Sequence, residues 1–285
     1  MDLTDILRCP ATAIRLHFDN ANRIVRVENC DLTYPIIDGI VDFCPGPPDR
    51  ISASYDAVAP RYDTYITSAS LPLKICNTIV WGISNDNEYA NNVFSYLPAH
   101  FDGILVDVPV GTGVFTAPVY ARLPNATIIA VDSSMGMLRK AADRFRQHGL
   151  KNVRLLRADV ANLPIADAAA DIVLSMNGLH VFPDKQRAIA QIHRVTRPGG
   201  KLVACAYVKG VKRLADWFVK RFGVRNGYFN PPFFTLDDVA SQFKGFTVTH
   251  RGNTKSIVYL EAFQSAELAP SLPNESVQST IPFVP

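Results

Sequence analysis

The chain has 285 residues, 29 Lys and Arg against 26 Asp and Glu, and a formal charge of +3. Apolar residues make up 48% and charged residues 19%, which excludes a disordered chain and suffices for a large α/β core. So small a charge excess argues against a dedicated polyanion binder, and the five cysteines suit no disulfide framework. No apolar run approaches the roughly 20 residues of a membrane span.

The first segment, MDLTDILRCP, carries acids where a secretion signal would carry basic residues, so the expected location is the cytoplasm. Residues 1–50 hold short β-like runs, RIVRVENC and YPIIDGIVDF, and end in PGPPDR, whose turn formers predict a linker. From residue 51 to 263 strands and helices alternate, the pattern of a mostly parallel sheet with helices on both faces. The strands read as apolar runs at 104–108, 127–132, 153–159, 171–177 and 201–208, four of them closing on or beside a polar residue. A helix is predicted to open near Phe115. Another spans 134–148, where Met135, Leu138, Ala142 and Phe145 form the apolar stripe. A third runs from about Lys185 to Val195 and stops before Arg197-Pro198-Gly199-Gly200. Residues 211–222 form an inserted amphipathic helix, and FTVTHR with SIVYLEAF an antiparallel pair that closes the sheet. The Pro- and Ser-rich stretch 264–285 is expected to be a flexible tail.

In such a sheet ligands bind beyond the carboxyl ends of the strands. After the first main-domain strand comes VDVPVGTG (106–113), where Gly111 and Gly113 allow a tight turn and close approach of a ligand. A GxG turn alone is weak evidence. Asp132 ends the next strand about 20 residues on, the spacing at which a carboxylate accepts from ribose hydroxyls, and Asp159 ends the third. Each acid taken singly is as readily a helix cap. With Asp107, they place three acids at consecutive strand ends beside a glycine turn.

In order along the chain, VDVPVGTG, AVDSSMGML (130–138), RADVANLP (157–164), ADIVLSMNGLHVFPD (170–184) and HRVTRPGGKLV (193–203) resemble the successive motifs of class I S-adenosylmethionine-dependent methyltransferases. The likeness is to the branch that includes the ubiquinone and menaquinone biosynthesis enzymes, and it covers roughly residues 51–263. It implies a Rossmann-like seven-stranded sheet and S-adenosylmethionine as cofactor, with S-adenosylhomocysteine as product. It also implies site roles. Asp107, Gly111, Gly113 and Asn177 would face the methionine moiety; Asp132 would hold the ribose; Ser133 and Met137 would line the adenine, whose edge Asp159 and Val160 would read. SYDAVAPRYDTYI (54–66) resembles the segment capping the cofactor in this branch, which would bring Tyr55 and Tyr62, with Arg61, over the sulfonium. Pro109 departs from the family, which usually carries glycine there; a proline has no N–H and a fixed φ, so the turn is expected to be altered yet able to bind.

For catalysis, His180 is the candidate base, with Tyr207 a weaker one, although methyl transfer can proceed by positioning alone. The segment 209–234 is expected to form an acceptor lid, with Lys209, Lys212, Arg213, Lys220 and Arg221 available to steer an anionic small-molecule acceptor. Asn230-Pro231-Pro232-Phe233 reads as a turn, since it lies after the inserted helix. Residues 1–50 resemble a zinc-ribbon module that has lost half its cysteines; Cys9 and Cys30 remain, so zinc is not expected. Two alternatives stand beside methyl transfer to a small molecule. One is an RNA-base methyltransferase, disfavoured by the modest charge; the other is a protein of this fold that binds the cofactor without transferring methyl groups. The sequence leaves oligomeric state open.

Overall fold

The computed structural model describes residues 3–67, 70–82 and 86–265; all but the first two residues of the expected tail lie outside them. Its N-terminal part carries α1 (Leu3–Ile6), then β1 (Leu16–Asp19), β2 (Ile24–Val27), β3 (Thr33–Ile37) and β4 (Ile40–Asp42). The helices α2 (Arg50–Val58), α3 (Tyr62–Ile66), α4 (Leu71–Trp81) and α5 (Asp86–Phe94) follow. The alternating part comprises β5 (Ile104–Asp107), α6 (Ala117–Tyr120), β6 (Thr127–Asp132), α7 (Met135–Gln147), β7 (Val153–Arg157), β8 (Ala170–Met176), α8 (Lys185–Val195) and β9 (Thr196–Tyr207). After it come α9 (Arg213–Phe218), α10 (Val239–Gln242), β10 (Phe246–Thr254) and β11 (Ile257–Gln264).

Among the described residues the sheet order is β1-β2-β3-β4-β7-β6-β5-β8-β9-β11-β10, eleven strands in one continuous array. The seven expected strands, β5 to β11, are there: β7, β6, β5, β8 and β9 run parallel, and β11 with β10 closes one edge antiparallel. At the other edge the sequence reading is extended. β4 pairs in parallel with β7, Val41 against Leu156 and Asp42 against Arg157, so the N-terminal strands prolong the sheet. Two apolar clusters fill its faces. One centres on Val106, Ile129, Leu156, Val173 and Leu202, the other on Leu105, Ile128, Leu174 and Val203. Alternate residues of each buried strand thus go to opposite faces, as period-two geometry requires.

Local chemistry corrects two expectations. The helix after the glycine turn is a single turn, α6, entered at Ala117-Pro118 and followed closely by Pro124. The block Arg197–Gly200 is no mere helix stop, because β9 already begins at Thr196. The β8–β9 register shifts between Ala170 and Ile172, and Gly200 lies where a Cβ would come within 2.7 Å of the Arg197 carbonyl oxygen. Among the described residues no helix is long and apolar enough to cross a membrane.

Candidate active site

A cavity of about 370 Å³ lies across the carboxyl ends of β7, β6, β5 and β8. Its wall includes Asp159 and Val160 after β7, Asp132 and Ser133 after β6, Asp107 to Thr116 after β5, and Met176, Asn177 and Val181–Pro183 after β8. Tyr55, Tyr62, Gly111, Gly113 and Met137 complete the set of cofactor-site residues named from sequence, and all eleven border this one cavity.

The glycine turn is built from both ends. Gly111 (φ +58°) and Gly113 (φ +67°) adopt the left-handed conformation that disfavours other residues. A Cβ on Gly111 would meet nothing within 4 Å, so its backbone faces open space, whereas one on Gly113 would strike the Phe145 ring at 2.7 Å. The Gly111 amide donates to Asp132 Oδ2 at 2.9 Å, and the Ser134 amide donates to Asp132 Oδ1 at 2.9 Å. Asp132 therefore ties the turn to the start of α7 while lining the cavity. Burial raises its pKa to about 6, and these amide hydrogen bonds oppose the rise. Pro109 follows a cis peptide bond and occupies the space opposite Gly178, where a Cβ would lie 2.3 Å from the proline Cδ. The bulk gained at one position is thus accommodated by its absence at the other.

Asp107 is fully buried at the end of β5. Its Oδ2 accepts from the Tyr120 hydroxyl at 2.5 Å, while Oδ1 has no hydrogen-bond partner, and burial raises its pKa to about 8. An orphaned carboxyl oxygen in a cavity wall, beside open glycine backbone, fits a ligand that brings a cation or a donor. That is the chemistry of the methionine end of S-adenosylmethionine. Asn177 (φ +56°) is held by its own N–H on the Cys205 carbonyl at 2.9 Å and by its Nδ2 donating to the Tyr89 hydroxyl at 3.3 Å. Asp159 does act as a cap, accepting from the Ala161 amide at 2.9 Å, and it borders the cavity as well.

The segment 54–66 closes the near side. Tyr55 and Tyr62 meet edge-to-face at 6.0 Å, and the Tyr55 hydroxyl donates to the Tyr228 carbonyl at 3.4 Å. The acids of this segment, missed from sequence, anchor it. Asp56 accepts from the Ser134 hydroxyl at 2.5 Å and the Gly136 amide at 2.8 Å, which joins α2 to the N-terminus of α7. Asp63 accepts from the Thr112 hydroxyl at 2.5 Å and pairs with Arg144 at 2.6 Å; Arg144 also donates to the Thr112 carbonyl. The only available signal was the repeated Tyr-Asp, seven residues apart. Arg61 is exposed and does not line the cavity.

PGPPDR is more than a linker, because Pro45, Pro47, Pro48 and Asp49 line the cavity beside Cys44. Arg157 secures this wall. Its guanidinium pairs with Asp42 at 3.0 Å, both side chains buried, and donates to the carbonyls of Cys44 and Ser133.

The structure does not bring the two proposed catalytic residues to the cavity. His180 lies behind the wall, stacked on Phe229 at 4.6 Å. Its Nδ1 accepts from the Tyr207 amide at 3.1 Å, which leaves the proton on Nε2, and burial lowers its pKa to about 3. An imidazole with its lone pair occupied is no base for a substrate in the cavity. Tyr207 donates to Asp216 at 2.6 Å, and burial raises its pKa strongly. It packs among Trp81, Phe229 and Phe233, the hub of an aromatic block. No residue of 209–234 borders the cavity; that segment stands behind its wall, where the Tyr228 carbonyl accepts from Tyr55 and the Arg225 carbonyl from Arg50. Lys212 donates to the Thr78 and Ile79 carbonyls at the end of α4 and is not oriented to steer an acceptor.

In the N-terminal part Cys9 is buried against the Tyr34 hydroxyl at 3.3 Å, Cys30 is exposed, and Cys44 is at the cavity. Among the described residues no group of three or more His, Cys, Asp or Glu is gathered as a metal site.

Comparison with known proteins agrees with this geometry. Residues 105–200 match the family model of a methyltransferase domain. The demethylmenaquinone methyltransferase of Thermobifida fusca is 29% identical over 177 residues, 61% of this chain and 69% of that protein. Its counterpart from Renibacterium salmoninarum is 31% identical over 160 residues, 56% of this chain and 60% of that protein. The crystal structure of the [4+2]-cyclase SpnF superposes with a TM-score of 0.59 at 18% identity, over 78% of this chain and 98% of that one, a likeness of fold. The chain is an S-adenosylmethionine-dependent methyltransferase with the class I fold, and it is similar to the demethylmenaquinone methyltransferases.

Proposed function

We propose that this protein transfers a methyl group from S-adenosylmethionine to a small organic acceptor, with the donor lying across the ends of β7, β6 and β5 and the acceptor beyond β8. One observation carries the reading: Asp107, Gly111, Asp132 and Asp159, ordered along three strand ends, border a single cavity, with a free carboxyl oxygen at the methionine end. Asp159 and Val160 would hold the adenine edge, Asp132 the ribose hydroxyls, and Asp107 with Asn177 the methionine moiety. Bound there, S-adenosylmethionine supplies a methyl group on a sulfonium, open to in-line displacement by the acceptor's nucleophile. Tyr55 and Tyr62 would cover the reacting end and exclude water.

At the β8 side the wall is apolar, with Phe115, Met176, Val181, Phe182 and Pro183. Among the described residues it offers no imidazole, amine or thiol there, so catalysis would rest on positioning, and the acceptor would need an atom nucleophilic without an enzyme base. An apolar wall favours an apolar acceptor over the anionic one first expected. Cytoplasmic location remains part of this proposal, whereas residues 1–50, paired through β4 to β7 and lining the cavity, are read as one fold with the rest.

Calorimetry with S-adenosylhomocysteine tests the donor site; absence of binding would overturn the reading. Labelled methyl incorporation into a lysate split into small-molecule and RNA fractions tests the acceptor. Label is expected among the small, apolar compounds, and label mainly in RNA would establish the alternative.

A further inference from the structure

We propose that α4 and the segment around α9 form a face that docks on an anionic lipid surface. The two helices sit side by side. Trp81 of α4 meets Phe218 of α9 edge-to-face at 6.1 Å, and Lys212 holds the last carbonyls of α4. Their inner faces are satisfied: Val80, Ala215 and Val219 are buried. Their outer faces are not. Leu71, Ile75 and Ile79 recur every fourth residue along α4 and are 71%, 51% and 57% exposed. On the other element Trp217 is 57% exposed, with Leu214 and Phe222 beside it; Trp217 and Phe222 touch edge-to-face at 5.7 Å. Exposed large apolar residues scattered singly need no explanation, but among the described residues most of them fall on these two neighbouring elements.

Charge selects the occupant. Residues 209–225 hold six basic residues, Lys209, Lys212, Arg213, Lys220, Arg221 and Arg225, against one acid, Asp216. Asp216 is committed to the Tyr207 hydroxyl and the Gly210 amide. Among the described residues none of the six is in a salt bridge with a carboxylate, and Arg221 lies over the Phe222 ring at 5.3 Å. An apolar outer row carrying Trp, Phe, Leu and Ile, flanked by Lys and Arg that no carboxylate neutralises, matches the interface between lipid headgroups and acyl chains. A second copy of the chain would bring the same positive charge against it. The inference does not rest on methyl transfer, because lipid binding is read without any turnover.

Flotation of the full chain with vesicles provides the test, using phosphatidylcholine alone and phosphatidylcholine mixed with phosphatidylglycerol. Binding to the mixed vesicles is expected, weakening with salt, together with a blue shift of tryptophan emission that Trp217→Phe removes. Lys220→Gln with Arg221→Gln should weaken partitioning roughly 25-fold, about fivefold for each charge. Ile75→Ser with Trp217→Ser should abolish it while the melting temperature, measured alongside, stays near that of the parent. No flotation, equal flotation with both vesicles, or binding insensitive to these substitutions would overturn the proposal. So would lipid-free self-association that the Ile75 and Trp217 changes disrupt, since a second copy would then cover the face.

Discussion

The two sides of the β5–β8–β9 strand ends are made of opposite materials. On the cavity side, charged and amide groups are shared among segments: Asp132 binds the glycine turn and α7, Asp63 binds the turn and Arg144, and Asp107 keeps one oxygen free. Behind it, His180, Tyr207, Phe229 and Trp81 make a block of rings in which the His180 Nδ1 lone pair is taken by the Tyr207 amide and the Tyr207 hydroxyl by Asp216. A titratable residue near a site is therefore a poor guide to chemistry. What separates Asp107 from His180 is whether a lone pair is left over.

That contrast can be broken at several points. Tyr207→Ala should cost about 3–5 kcal/mol of stability by emptying the centre of the ring block, with little change in donor affinity of the folded protein. Chemical denaturation paired with calorimetry would check it, and a large loss of affinity would show that the two sides are not separate. Asp132→Ala should weaken S-adenosylhomocysteine binding at least ~100-fold, about 2.7 kcal/mol, by removing both the ribose acceptor and the tether on Gly111. Asp63→Ala, which never touches the ligand, should weaken binding about tenfold by freeing Thr112 and Arg144; binding at parental strength would mean the turn holds itself.

Two further effects are those of pH. Donor affinity should fall as pH drops below about 6, where Asp132 takes up a proton and can no longer accept at both oxygens. His180 is held neutral in the fold with a pKa depressed to about 3. Its contribution is complete above the ordinary histidine value near 6.5 and is lost as pH falls from there toward 3. In His180→Gln, melting temperature should therefore vary less with pH across that window. An unchanged slope would place the acid sensitivity elsewhere.

Much of this was legible in the residues. Apolar runs closing on Asp107, Asp132 and Asp159 marked the strands and the end of the sheet where the cavity lies, because burial on both faces and a polar end are local properties. Contacts set by long-range packing were not. The pairing of β4 with β7 joins two residues to partners more than a hundred positions away, too short a run to carry a periodicity. Asp56 and Asp63 read as parts of a tyrosine motif, since their partners lie on α7. His180 follows β8 at a position suited to a base, and only the packing of Phe229 and the Tyr207 amide shows where its ring turns.

The buried pair of Arg157 and Asp42 bears on how the molecule can be divided. Composition draws a seam at PGPPDR, but cutting there would remove the carboxylate from a buried guanidinium and uncover the hydrogen-bonding edge of β7. It would also strip the proline wall from the cavity. A graft that exchanges the first fifty residues for those of a relative must therefore supply an acid at position 42, or change position 157 with it. The seam seen in the sequence is thus one along which the chain cannot be recombined freely.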